Sequence, residues 1–209
     1  MFWKLKQAFR KSWLFFPYKK ISSVSEYLMW RLRGSPSAGR PKVPHLIKQH
    51  LIAEFARNYD LHILVETGTN FGQMINANER RFREIYSIEL DAWKATVAKR
   101  KFAKQPHIHT FLGDSGAVLP GIISGIKEPC LFWLDAHVGD SSAAIKQELD
   151  CIYKHPVENH VLLIDDARWF DGRTDYPTME EVREKAAREY PGRVVEVKDD
   201  IIRIYKPRS

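Results

Sequence analysis

The sequence has little cysteine, no long apolar run and no repeated or low-complexity tract. Its 209 residues include two cysteines, Cys130 and Cys151, and neither their number nor their spacing makes a disulfide framework or a cysteine metal site. A reducing, cytoplasmic setting fits that usage. The longest apolar stretch near the N-terminus, "WLFF" at 13–16, falls short of the roughly 18 residues that span a bilayer and of the ~7–15 in a signal-peptide core.

An overall basic face is missing as well. The formal net charge is +7, but residues 1–43 hold ten Lys/Arg and one acid, Glu26, for a net +9, while the remainder holds 23 Lys/Arg against 25 Asp/Glu, a net −2. The excess lies in the N-terminal arm, so no nucleic-acid partner is expected for the main body.

What is present divides into an arm and a domain. Phe2, Leu5, Phe9, Trp13 and Phe16 recur at helical spacing, with Lys4, Arg10 and Lys11 turned away from them. A basic amphipathic helix over residues 1–20 suits an anionic membrane surface, and it equally suits packing on the protein's own domain or on a second subunit of a homo-oligomer. "SVSEYLMWRLRG" adds a second helix with Ser23 and Glu26 as a capping box. The helical arm is thus expected over residues 1–33, a Pro/Gly-rich linker over 34–43 and the domain over 44–209.

From Pro44 onward the pattern alternates. A helix with Ile47, Leu51 and Phe55 on one face precedes strand "HILVE" (62–66), and later apolar runs are "EIYSIE" (to Glu89), "IHTFLG" (to Gly113), "CLFWLD" (to Asp135) and "VLLID" (to Asp165). Helical segments separate these runs, which predicts a doubly wound, mostly parallel α/β sheet with its ligand crevice at the carboxyl ends of the strands. "RVVEVKDDIIRIYK" reads as an antiparallel hairpin around Asp199-Asp200 and completes a seven-stranded sheet.

Each predicted parallel strand finishes on or beside an acid: Glu66, Glu89, Asp114, Asp135, and Asp165 with Asp166. After the first comes a turn with Gly68 and Gly72, where glycine leaves room for a close backbone approach. Here the sequence resembles the class I S-adenosylmethionine-dependent methyltransferases, from about Pro44 to the C-terminus. The family's acid followed by Gly-x-Gly-x-Gly matches Glu66-Thr67-Gly68-Thr69-Asn70-Phe71-Gly72, with Asn70 in place of the central glycine. The resemblance implies that this segment binds the cofactor, that Glu89 accepts hydrogen bonds from both ribose hydroxyls, and that Asp114, with Ser115 beside it, meets the adenine amino group. A dinucleotide site is disfavoured, because Glu66 would repel a phosphate and suits the cationic methionine portion of S-adenosylmethionine.

Asp135, Asp165 and Asp166 fall at the ends of what should be adjacent strands. Three carboxylates so placed repel one another unless a cation or proton sits among them, and hard oxygen ligands favour Mg²⁺ or a similar divalent ion. This resembles the metal site of catechol-type and, more closely, macrocin-type O-methyltransferases, where the ion holds vicinal hydroxyls of the acceptor. His137 can take the hydroxyl proton near neutral pH, and Asp135 is the competing base. Arg168 is a candidate to orient substrate, to neutralise the carboxylates or to form a surface ion pair. Residues 169–180 are expected to shape the acceptor pocket, with Trp133 and Trp169 at the crevice and the other tryptophans away from it. The expectation is a metal-assisted O-methyltransferase acting on a sugar, glycolipid or natural-product hydroxyl. A hydroxylase-like relative and a non-catalytic protein retaining the fold stand as alternatives.

Overall fold

The computed structural model describes residues 24–30, 32, 43–135, 143–173 and 176–208. The expected 1–20 amphipathic helix, Ser23 of the capping box, the linker over 34–42 and His137 lie outside the described residues. The chain divides into two units, residues 1–50 and 51–209. The division falls within helix α1 (His45–Asn58). In the first unit residues 24–30 are helical, as the "SVSEYLMWRLRG" pattern predicts, and the Tyr27 and His50 rings meet edge to face at 6.3 Å.

In the second unit helices cover both faces of the central strands. β1 (Ile63–Thr67), β4 (Leu131–Leu134) and β5 (Val161–Ile164) are buried along their whole length, and β4 and β5 are apolar throughout. β2 (Glu84–Glu89) and β3 (Ile108–Leu112) extend the sheet on one side. β6 (Val194–Lys198) and β7 (Ile201–Tyr205) close the other, in the order β3-β2-β1-β4-β5-β7-β6. β1 to β5 pair in parallel, and β7 runs antiparallel to both β5 and β6. Predicted and observed strands agree to within about one residue at each end.

The period-2 alternation of each strand divides the core. Phe132, Leu162 and Ile164 pack with α4 (Ser115–Ile123), α5 (Ala143–Tyr153) and α6 (Met179–Glu189). Leu131, Trp133 and Leu163 pack with α1, α2 (Gln73–Asn78) and α3 (Ala92–Lys101). Trp133 is therefore a core residue of the second layer and not a lining of the crevice, 1% exposed. A ring cluster of Phe55, Tyr59 and Tyr205 joins α1 to β7. Among described residues no helix is long and apolar enough to cross a membrane.

Candidate functional site

Between Thr67 and α2 the backbone reverses three times through positive φ, at Gly68 (91°), Asn70 (51°) and Gly72 (64°). Asparagine is among the few side chains that tolerate this region, so Asn70 takes over a glycine's conformation with little strain. Gly68 and Thr69 donate their N–H groups to the Ile88 carbonyl at 2.9 and 3.1 Å, which fixes the turn over the end of β2. A Cβ at Gly72 would overlap the Phe102 ring, so no larger residue fits. Lys101 Nζ donates from below to the Phe71 and Gly72 carbonyls, both at 3.3 Å.

Two acids brace this turn. Glu66 shares a row of the sheet with Ser87 and Trp133 and is 1% exposed. Ser87 Oγ donates to its Oε2 at 2.5 Å and lies 2.6 Å from the Thr69 hydroxyl. Burial, and next the charges of Asp135 and Glu89, push the Glu66 carboxyl up to about 8, against the opposing pull of the Ser87 hydrogen bond and Lys101. Glu89, at the end of β2, accepts the Asn70 N–H at 2.6 Å on one oxygen and the Asp91 N–H at 2.9 Å on the other. Each oxygen retains a second lone pair. Asp114 caps α4, accepting the Ala117 N–H at 3.2 Å, and Ser115 behind it is buried.

On the neighbouring strands the third cluster assembles. Asp135 follows β4, with its N–H donating to the Thr67 carbonyl at 3.0 Å; Asp165 and Asp166 follow β5. One oxygen from each of the three lies within 4.8 Å of the others. Asp166 adopts φ 59°, ψ 44°, a left-handed conformation at the start of the 3₁₀ turn Ala167–Trp169. Such a conformation in a non-glycine residue is sparsely populated and is held only where the surroundings enforce it. Arg168, for which a surface ion pair was one of three expected roles, is partly buried, with its guanidinium 2.9 Å from Asp166 and paired also to Asp200 of the β6–β7 turn. The donor set, three carboxylates at two adjoining strand ends, fits a hard divalent cation.

No protein-family model and no curated protein matches the sequence. Solved structures do resemble it. The O-methyltransferase from Bacillus cereus in complex with SAH is 14% identical, with 88% of this chain and 90% of that one covered and a TM-score of 0.55. TomG from Streptomyces achromogenes, an O-methyltransferase of tomaymycin synthesis in complex with SAM, is 14% identical over 88% of this chain and 89% of that one, TM-score 0.59. The SAH-bound Podospora anserina methyltransferase PaMTH1 is 19% identical over 89% and 88%, TM-score 0.56. The chain has the fold of the class I S-adenosylmethionine-dependent methyltransferases.

In this methyltransferase fold the structure gathers Glu66, Gly68, Thr69, Asn70, Gly72 and Glu89 into one braced turn, and Asp135, Asp165 and Asp166 into a second cluster. Asp114 and Ser115 stand at the head of α4. Trp93, expected away from the crevice, packs edge to face on Phe71 at 5.6 Å and is 41% exposed beside the glycine turn. The 169–180 segment is only partly a pocket wall. Phe170 and Tyr176 are buried against each other, and Thr178 begins α6 through a capping box with Glu181. Glu148 of α5 escaped the sequence reading. It is 1% exposed and its carboxyl is pushed up to about 7, chiefly by burial, against the opposing pull of the Ser115 and Thr67 hydroxyls. Its signal was present: in "AAIKQELDCIY" it falls on the apolar stripe of Ile145, Leu149 and Ile152, where an acid has no ordinary reason to be.

Proposed function

We propose that this protein is an S-adenosylmethionine-dependent O-methyltransferase, assisted by a divalent metal ion, acting on a hydroxyl of a sugar, glycolipid or related small molecule. The observation that carries the reading is the carboxylate trio Asp135, Asp165 and Asp166 on the strand ends beside the glycine turn. The turn and Glu89 would hold the cofactor's ribose and methionine portions, Asp114 its adenine amino group, and Glu66, largely protonated in its buried setting, would ionise as a cationic ligand arrives. Phe71, Trp93, Leu90 and Leu112 offer apolar surface for the purine, since the last two are 50% and 58% exposed at the ends of β2 and β3.

S-adenosylmethionine, when bound, would supply the methyl group, its sulfur keeping the electron pair of the broken bond as the acceptor oxygen takes the carbon. Asp135, or His137 two residues on, takes the acceptor's proton. A bound Mg²⁺ or similar ion supplies the positive charge that lowers the pKa of the acceptor hydroxyl and fixes its direction. Asp135, Asp165 and Asp166 are the residues that would hold it.

Methyl transfer to a panel of free and lipid-linked glycans, with and without exhaustive chelation, tests the reading. Chelation should abolish turnover and leave S-adenosylmethionine affinity within about threefold, because the cofactor depends on other strand ends. Full turnover after chelation, on an acceptor the enzyme methylates, would remove the metal from the mechanism.

A further inference from the structure

The acidic trio is not left to face itself. Arg168 Nη2 lies 2.9 Å from Asp166 Oδ1, and Arg168 Nη1 donates to Asp200 Oδ2. Asp200 does more than pair with the guanidinium. Its Oδ1 accepts the Arg168 backbone N–H at 2.9 Å and its carbonyl accepts the Ala167 N–H at 2.8 Å, so one residue of the β6–β7 turn holds the segment following Asp166 at three points. The two contacts of the guanidinium differ in kind. Asp200 receives an aligned hydrogen bond, whereas Asp166 Oδ1 is within ion-pair distance but outside hydrogen-bonding alignment. Asp199 and Asp200 both have positive φ, 54° and 57°, and Arg203 ties Asp199 back to β7 at 3.2 Å, so the turn is itself anchored.

We infer that Arg168 is a built-in counter-ion of the carboxylate trio, held beside Asp166 by Asp200, and that a divalent ion entering the site displaces its grip on Asp166 while the grip on Asp200 persists. This rests on the metal reading above. A guanidinium cannot lose its charge in the accessible pH range, so its only response to a second cation is to move. Asp200 supplies the place to which it moves, because it satisfies the guanidinium without Asp166. Arg168 and Asp200 are positioning residues here; neither touches the reacting atoms.

The charge signs make the inference testable, since a counter-ion and a plain brace predict different directions. The full-length chain is titrated with Mn²⁺, and the free ion is read by electron paramagnetic resonance. R168Q removes a cation next to the site and should tighten Mn²⁺ binding by about tenfold, while R168K keeps the charge and should stay within about threefold of the parent. D200N leaves the guanidinium unbalanced against the site and should weaken binding by about tenfold, in the range usual for residues supporting a metal ligand. Asparagine tolerates the positive φ of position 200, so D200N preserves the turn; should it fail to fold, R168Q against R168K decides alone. Weaker binding in R168Q, or equal binding in R168Q and R168K, overturns the counter-ion. A parent protein that binds no Mn²⁺ overturns the metal reading itself, a distinct result.

Discussion

The two ends of the sheet bury polar groups in opposite ways. At the amino ends of β4 and β5 a chain of histidine contacts pairs donor with acceptor, although the neighbouring Tyr153 hydroxyl is buried without a hydrogen bond. The Cys130 N–H donates to His160 Nδ1 at 3.0 Å, which obliges a neutral His160 to carry its proton on Nε2 and donate to His155 Nδ1, also at 3.0 Å. His155 then donates from Nε2 to the Ile123 carbonyl at 2.7 Å, and the His160 N–H donates to the Tyr190 hydroxyl at 2.9 Å. Every direction in the chain is forced, and the result is a closed, stabilising network. At the carboxyl ends the buried groups are mostly of one sign. Glu66 and Glu148 are held well above the usual carboxylate range, and Glu148 Oε1 is buried without a hydrogen bond. Left-handed backbone occurs at both ends, at Asp60 and Asn159 before β1 and β5 and at Asn70, Asp166 and Asp200 beyond β1, β5 and β6. Carboxyls crowded together and kept from water in this way are a common setting for a ligand, which is why the carboxyl ends are the candidate site.

Breaking the closed end should have the largest effect on stability. His160→Phe leaves the Cys130 N–H and His155 Nδ1 without partners and should cost about 3 kcal/mol at pH 8, read as a fall in melting temperature. Burial also holds the His160 pKa down to about 3. The group's contribution is therefore complete above its unfolded value near 6.5 and is lost as pH falls through that value toward 3. The gap between parent and variant should narrow over that window. A constant gap from pH 8 to pH 4 would mean that the network does not keep His160 neutral.

Disturbing the open end should act on ligand affinity first. Glu89→Ala removes a charged acceptor for ligand hydroxyls together with the anchor of the Asn70 and Asp91 amides, and each charge-assisted bond is worth about 1.5–3 kcal/mol. S-adenosylmethionine affinity by calorimetry should fall at least about tenfold in a folded variant. Unchanged affinity would reduce Glu89 to a brace of the turn.

The same contrast explains what the sequence disclosed. The strands were legible because β1, β4 and β5 are buried on both faces and read as continuous apolar runs, and acids at their ends interrupt those runs visibly. Asp135, Asp165 and Asp166 were legible for that reason. Asp200 was not, because its partner Arg168 lies 32 residues away and the pairing depends on β7 docking antiparallel on β5. Trp93 misled because it belongs to a helix; only the N-cap at Asp91, held by Glu89, turns it toward Phe71. Trp133 misled because its strand ends beside the candidate site while its side chain, in the same row as Glu66, is buried in the core layer of α1, α2 and α3.

Glu148 offers the smallest effect and the sharpest distinction between the two ends. Its carboxyl sits between the side chains of Thr67 and Ser115, which favour the ionised form, but burial outweighs them and the nearby Asp114 charge adds to it. The folded group titrates at about 7 against 4.5 in the open chain, so between those values the unfolded state releases a proton that the folded state keeps. A raised value in an acid means that the group's contribution to stability is complete below 4.5 and is lost as pH rises through about 7. Glu148→Gln removes the proton and keeps the shape and the hydroxyl contacts. At pH 8 it should be more stable than the parent by about 2 kcal/mol, a rise of several degrees in melting temperature, and at pH 4 the difference should vanish. The closed network responds oppositely, losing most stability at high pH, where His160 is neutral and its partners are matched. If Glu148→Gln is destabilised equally at pH 4 and pH 8, burial does not hold the Glu148 proton in place, and the carboxyl end is less strained than its crowded acids imply.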